Sequence, residues 1–361
     1  MNRKHLQSID FWKGITILSV LNIHTVFWSG ALYLPDWTKR VSLLLDVPVF
    51  FFISGYLLQT PQVNLILGRG LRQFLRLVVD YAIVFTIALG SAIVINLALS
   101  QLTFPESLWH TLSLVSFHPI GPLWEIWRGF DGSMWFLFVY FSILPLGVLI
   151  LVSPLRHVLA FAILIPIVFF FWTAQPNDDP ALLFSDARSV AFYLTVFIAG
   201  AVFKSTVLRF SIWRLLVIWA GVLVLSLAVS LQAGTLPDLQ SLKFPTSPLY
   251  LLFSMHSILI LCLLIFADES NRLQIIPRWI LAGVSWCGKY SFRIYLWQGL
   301  ATSVPYLFIP SLIKHGVPGI ALYGITLVWT VGATLAITLC HNHIESLVTR
   351  KRNSQIAKGI A

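Results

Sequence analysis

The sequence predicts an all-α fold, a polytopic membrane helix bundle of about ten transmembrane helices with both termini cytoplasmic. Two observations carry that expectation. First, the 361 residues are 58% hydrophobic and only 11% charged, with a mean hydropathy of +0.84. A soluble domain carries about 25% charged residues, so this composition excludes an ordinary water-soluble globule and also a disordered chain. Second, apolar runs of near-spanning length recur along the chain, and basic residues gather in alternate loops.

The expected spans lie at about 11–30, 43–60, 77–99, 133–152, 157–173, 187–204, 213–232, 248–267, 290–309 and 318–340. The first follows Arg3 and Lys4 and carries Lys13, Asn22 and His24 with no small-residue cleavage site after it. It therefore reads as a span, not as a removed signal. The second holds Asp46 and the apolar run from Pro48 to Leu58. The longest outside loop, 100–132, contains Pro105, Pro119 and Pro122 with Trp109, Trp124 and Trp127. Two spans are marginal: 157–173 contains Pro166, and 290–309 is flanked by Lys289 and carries Arg293. Residues 1–345 form one transmembrane domain, and 346–361 a short basic cytoplasmic tail.

Sidedness follows from the basic residues. With the N-terminus inside, the inside loops hold Arg69, Arg72, Arg76, Arg156, Arg209, Arg272 and the run Arg350-Lys351-Arg352, among others. The outside loops hold only Lys39, Arg40, Arg128, Lys243 and Lys314. The net charge of +10 is then explained by cytoplasmic loops facing a lipid bilayer, and no nucleic-acid partner is expected. Cys262, Cys287 and Cys340 are scattered in apolar surroundings and suggest neither disulfides nor a metal cluster.

Ionisable residues within spans are costly and point to function. Lys13 and His24 are 11 residues apart, so on a helix they share a face and stand roughly 16 Å apart along the axis. Lys13 can equally be an anchor that snorkels to the interface, and His24 an interhelical hydrogen bonder. Asp46 sits at the outer end of an antiparallel neighbour, at a depth where it can orient the His24 imidazole. It can also be a helix N-terminal residue favoured by the dipole. Arg69, Arg72 and Arg76 form one helical stripe, continued by Asp80, which can pair with Arg76. The stripe reads as an anion site or as an ordinary inside loop. Trp124 and Trp127 can stack on a sugar or belong to the interfacial aromatic belt. His341 and His343 point apart on a helix and make a poor metal pair, and His256 reads as a structural hydrogen bonder. No metal site is expected.

Several of these segments together resemble the acyltransferase-3 family of integral membrane acyltransferases. Ile9-Asp10-Phe11-Trp12-Lys13-Gly14-Ile15 is similar to the family's opening D-x-x-[RK]-G, and Lys13 and His24 match its basic-to-histidine spacing. Val47-Pro48-Val49-Phe50-Phe51-Phe52-Ile53-Ser54-Gly55-Tyr56-Leu57 resembles its second span, and Arg69 and Arg72 the basic positions after it. Ser133-Met134-Trp135-Phe136-Leu137 is similar to the W-F-L segment of one subgroup, while Phe244-Pro245 and Tyr290-Ser291-Phe292-Arg293-Ile294-Tyr295-Leu296 resemble later landmarks. Two departures stand out. The Trp-Ser-Leu-x-x-Glu version of the fourth span is absent, and the late Y-L-x-H reads Tyr295-Leu296-Trp297-Gln298.

The resemblance implies transfer of an acyl group, usually acetyl, from acyl-CoA to a hydroxyl of a sugar or other envelope molecule, in a bacterial inner membrane. It implies His24 as the catalytic base, assisted by Asp46. Lys13, Arg69, Arg72 and Arg76 would hold the phosphates of the donor, which is a substrate and not a resident cofactor. Trp135, Trp124 and Trp127 would bind the acceptor. A passage along the Lys13–His24 face would carry the donor's arm. An exporter of lipid-linked glycan, or a non-catalytic member of the family, remains an alternative.

Overall fold

In the computed structural model of the protein, residues 3–43, 45–60, 62–98, 127–133, 135–153, 187–206, 211–233, 238–243, 247–268 and 276–359 are described, and every regular element among them is helical. In chain order the helices are α1 (Arg3–Phe27), α2 (Trp37–Ser42), α3 (Pro48–Leu58), α4 (Val63–Ala98), α5 (Arg128–Asp131), α6 (Trp135–Val152) and α7 (Ala187–Thr206). They continue with α8 (Ile212–Ala233), α9 (Leu239–Lys243), α10 (Pro248–Asp268), α11 (Arg278–Lys289), α12 (Ser291–Ser303), α13 (Pro305–Lys314) and α14 (Gly319–Gly359). Five stretches are long and apolar enough to cross a membrane: Gln7–Leu32, Val63–Ile95, Arg128–Val152, Ile212–Gln232 and Gly319–Thr349. Pro48–Leu58, Ser189–Phe203 and Leu249–Ile265 are apolar but shorter.

Two expected spans differ in shape. The 290–309 run is not one helix: α12 ends at Ser303 and α13 begins at Pro305, because a proline lacks the N–H that would continue the ladder. The run expected at 77–99 starts a good three turns earlier, at Val63, so Arg69, Arg72 and Arg76 lie on the helix itself and not in a loop. Helix α14 also continues through 346–359, so the basic tail is its last turns. The span expected at 157–173 lies outside the described residues.

Exposure is inverted relative to a soluble protein. Trp213, Val217 and Leu231 of α8 and Ile320 and Val328 of α14 are exposed, whereas Thr326, Thr330, Thr334 and Thr338 of α14 are fully buried. Outward apolar surface on this scale is unsuited to water and suited to lipid, and the threonines turn inward to the bundle. The protein is a multi-pass membrane protein.

Close helix crossings hold the bundle. A Cβ on Gly14 of α1 would strike the backbone of Val284 on α11, and one on Gly288 would strike the backbone of Asp10. Gly55 of α3 and Gly200 of α7 pack in the same reciprocal way, against the backbones of Phe197 and Phe52. Small residues are what let helix backbones approach when lipid removes the hydrophobic drive for association. Helices α1 and α14 run antiparallel: Asn22 of α1 accepts from Tyr323 at 2.6 Å, while Tyr33, eleven residues further on, has its backbone carbonyl against Gly319, one turn earlier on α14. The start of α1 and the end of α14 therefore lie at one end of the bundle. His256 of α10 meets the hydroxyl of Ser226 of α8 at 2.8 Å, the structural role expected of it.

Candidate active site

His24 lies three residues before the end of α1, half-buried, and two groups converge on its Nδ1. The indole N–H of Trp28, one turn on, donates to Nδ1 at 3.2 Å. The Ser133 hydroxyl stands 3.0 Å from the same nitrogen. An indole can only donate, so Nδ1 is an acceptor in this arrangement and the neutral ring carries its proton on Nε2. Ser133 also reaches the carbonyl of Gly129, so its single proton is divided between that oxygen and Nδ1. The segment that presents Ser133 is held from α12: Tyr295 donates to the Ser133 carbonyl, and Gly129 N–H donates to Ser303 Oγ at 2.9 Å. The Tyr295 ring meets the His24 ring edge-on, with centroids 6.3 Å apart. Gly132 is small where it must be, since a Cβ there would strike the Trp28 ring.

Asp46 does not bond to His24. Its Oδ2 accepts from Lys243 Nζ at 2.6 Å and from Tyr250 OH at 2.8 Å, and its Oδ1 accepts the Val47 N–H at 2.7 Å. The expected Asp46–His24 pairing is replaced because an ammonium is a stronger partner for a carboxylate than a neutral imidazole. The bond to Val47, just before Pro48 opens α3, also fits the helix N-terminal reading of Asp46. Lys243, read from the sequence as an outside-loop charge, is buried, with its ammonium 4.8 Å from the centre of the Trp135 ring. The sequence signal for it was weak: one lysine before Phe244-Pro245, in a stretch too polar to be a span. Trp135 in turn packs beside Tyr193, at 5.9 Å between ring centres. A cleft opens next to the ion pair, lined by Leu43, Asp46, Pro48, Tyr250, Ser254 and Ser257.

Eleven residues before His24, near the middle of α1, Lys13 meets Asp10 at 3.8 Å. Arg69, Arg72 and Arg76 are exposed on α4, and none forms an ion pair among the described residues. The expected Arg76–Asp80 pair is not formed. Asp80 is buried and takes a bidentate bond from Arg293 of α12, at 3.0 Å to Nε and 2.9 Å to Nη2. Arg293 Nη1 also reaches Asn342 and Glu345 of α14, the latter at 2.6 Å. A guanidinium satisfies a buried carboxylate through two parallel bonds, which the exposed Arg76 on the same helix does not provide. The cluster ties α4, α12 and α14 together. Neighbouring His341 accepts from Trp297 Nε1 at 3.1 Å.

The face joining Lys13 to His24 is closed. Ile17 and Val20, which stand between them at helical spacing, are fully buried, so the passage expected there is filled by packed side chains. Of the tryptophans, Trp135 belongs to the Lys243 cluster and Trp127 is half-buried against the core, while Trp124 lies outside the described residues.

The chain matches a family model described as an acyltransferase domain, that of the acyltransferase-3 family, over residues 6–339. No curated protein and no solved structure matches it.

Proposed function

Because the chain belongs to the acyltransferase-3 family of membrane acyltransferases, its reaction class is acyl transfer, and we propose that it moves an acyl group, acetyl first of all, from cytoplasmic acyl-CoA to a hydroxyl of a sugar or other envelope molecule. The proposed setting is a bacterial inner membrane, with about ten spans and both termini in the cytoplasm.

One observation carries the reading. A half-buried histidine inside a membrane bundle has its Nδ1 lone pair held by an indole donor and in contact with a serine hydroxyl. An ester-forming transfer needs a base for the acceptor's proton, and His24 supplies it. The acceptor oxygen attacks the acyl carbon as its proton leaves. Ser133, 3.0 Å from Nδ1, is placed to relay that proton to the ring. The ring later returns it to the departing thiolate. Asp46 acts with Lys243 as a buried ion pair. Trp135 and Trp127, with Trp124, offer aromatic faces to a sugar.

Coenzyme A carries several phosphates, and Arg69, Arg72 and Arg76, exposed on one helix, are suited to them, with Lys13 of α1. Since Ile17 and Val20 close one face of α1, the donor's arm approaches His24 by another, where Leu18, Ser19 and Asn22 are only partly buried.

The test is acyl transfer from labelled acyl-CoA by purified protein. His24→Ala should lower kcat by about 10²–10⁴-fold, the usual worth of a positioned base, with expression and membrane insertion unchanged. Full activity in that variant would discard the catalytic role.

A further inference from the structure

Gln298 of α12 is completely buried, and neither its Oε1 nor its Nε2 has a hydrogen-bond partner among the described residues. Buried amides are nearly always paired, because an unpaired one forfeits its bonds to water for nothing. The demand is stricter in a bilayer, where no bulk water competes. Thr330 and Thr334 of α14 are also unpaired. A helical threonine, however, can turn its hydroxyl to the carbonyl four residues back, as Thr326 and Thr338 do. Gln298 has no such local remedy.

Its position on α12 says where the amide belongs. Tyr295, Gln298 and Thr302 follow i, i+3, i+7 spacing and form one stripe. Both ends of that stripe bear on the segment that carries Ser133. Tyr295 bonds to the Ser133 carbonyl and meets the His24 ring edge-on, and Thr302 lies against Gly129. The middle member thus faces the same segment, one helical turn from Tyr295. Of the cations near this segment, the Lys243 ammonium is spent on Asp46 and Arg293 on Asp80 and Glu345, while Arg128 is exposed and lies over the Tyr306 ring.

We propose that Gln298 binds the carbonyl oxygen of the donor thioester through Nε2 and stabilises the oxyanion that forms there. The inference rests on the acyl-CoA reading above and names a further substrate-contacting residue for it. In the step, the acceptor oxygen forms a bond to the acyl carbon, and the carbonyl π pair moves onto the oxygen held by Gln298. His24 takes the acceptor proton. The carbonyl then re-forms, the carbon–sulfur bond breaks, and the thiolate receives that proton, leaving an ester and free coenzyme A. A preorganised neutral donor of this kind contributes about 10²–10³-fold to kcat in acyl transfer.

Gln298→Met keeps the volume and removes the amide. In the full-length protein, measured with labelled acyl-CoA, this variant should lose about 10²-fold in kcat while the KM for acyl-CoA changes by less than about threefold. Its thermal unfolding temperature should equal or exceed that of the wild type, since an unpaired polar group has been replaced by an apolar one. A kcat within about threefold of wild type would overturn the proposal, and so would a clear fall in unfolding temperature, which would mean that the amide is paired within the protein. If the wild type turns over no acyl-CoA, the donor reading fails on its own, and the unfolding comparison still judges whether the amide awaits a ligand.

Discussion

Lys243 shows what a single side chain can decide. Its ammonium and the Asp46 carboxylate are both buried and 2.6 Å apart. Removing one member of such a pair leaves the other charged and stranded, which costs about 3–5 kcal/mol, whereas removing both charges costs far less. Lys243→Met should therefore lower the thermal unfolding temperature markedly, and the double variant Lys243→Met with Asp46→Asn should recover much of the loss. Strictly additive losses in that cycle, followed by thermal unfolding in detergent, would show that the two residues do not act as a pair. Residue-level reading of the sequence found Asp46 and His24 as buried polar groups, because a charge or imidazole in an apolar run is conspicuous. It did not find Lys243 or Ser133, since a lysine in a polar stretch and a serine beside a span look ordinary. Their importance comes from what they touch across distances of 197 and 109 residues in the chain.

Helix α3 is only 11 residues long and begins two residues after Asp46, so its seat determines where that carboxylate stands. The seat is the reciprocal crossing of Gly55 and Gly200 with α7. Gly55→Leu would drive α3 away from the Phe197 backbone and should destabilise the protein by about 1–3 kcal/mol, the ordinary range for overpacking. It should lower acyl transfer as well, through displacement of Asp46. Gly68→Ala is the matched control: no atom lies near the position, the helix is exposed there, and the change should be neutral or stabilising by up to about 1 kcal/mol. Thermal unfolding of the two variants side by side checks this. Equal behaviour would mean that the crossing does not position α3. The sequence showed the run from Pro48 to Leu58 as apolar and helical, but glycine in an apolar run does not announce which helix it meets. The break between α12 and α13 was equally hidden inside a run that counts as one span by hydropathy alone.

Lys13 lies about three turns before His24 on α1, and Arg69, Arg72 and Arg76 precede Asp80 on α4, whose partner Arg293 also holds Glu345 toward the end of α14. Donor phosphates and acceptor hydroxyl are accordingly expected from opposite faces of the membrane. Protein reconstituted in one orientation into sealed vesicles, with acyl-CoA on the basic side and acceptor on the other, should give acylated acceptor. Product formed only when both substrates share a side would refute transfer across the membrane. The closed packing of Ile17 and Val20 makes one feature of that outcome specific: the donor's arm must pass beside α1 and not along the Lys13–His24 face.

By itself the sequence determined that this protein is a helical, multi-pass membrane protein of the acyltransferase-3 family, since hydropathy is a local property and the motifs around Lys13, His24 and Pro48–Leu57 are contiguous. It also singled out His24 correctly as a histidine within the bundle. Only the tertiary structure decided the partners: Trp28 and Ser133 on His24, Lys243 on Asp46, Arg293 on Asp80, and the unpaired amide of Gln298 on the stripe that faces Ser133. The reason is competition. Each buried charge or lone pair takes the strongest donor that packing brings within 3 Å or so. Which donor arrives depends on helix crossings set by distant glycines, which no local pattern in the chain records.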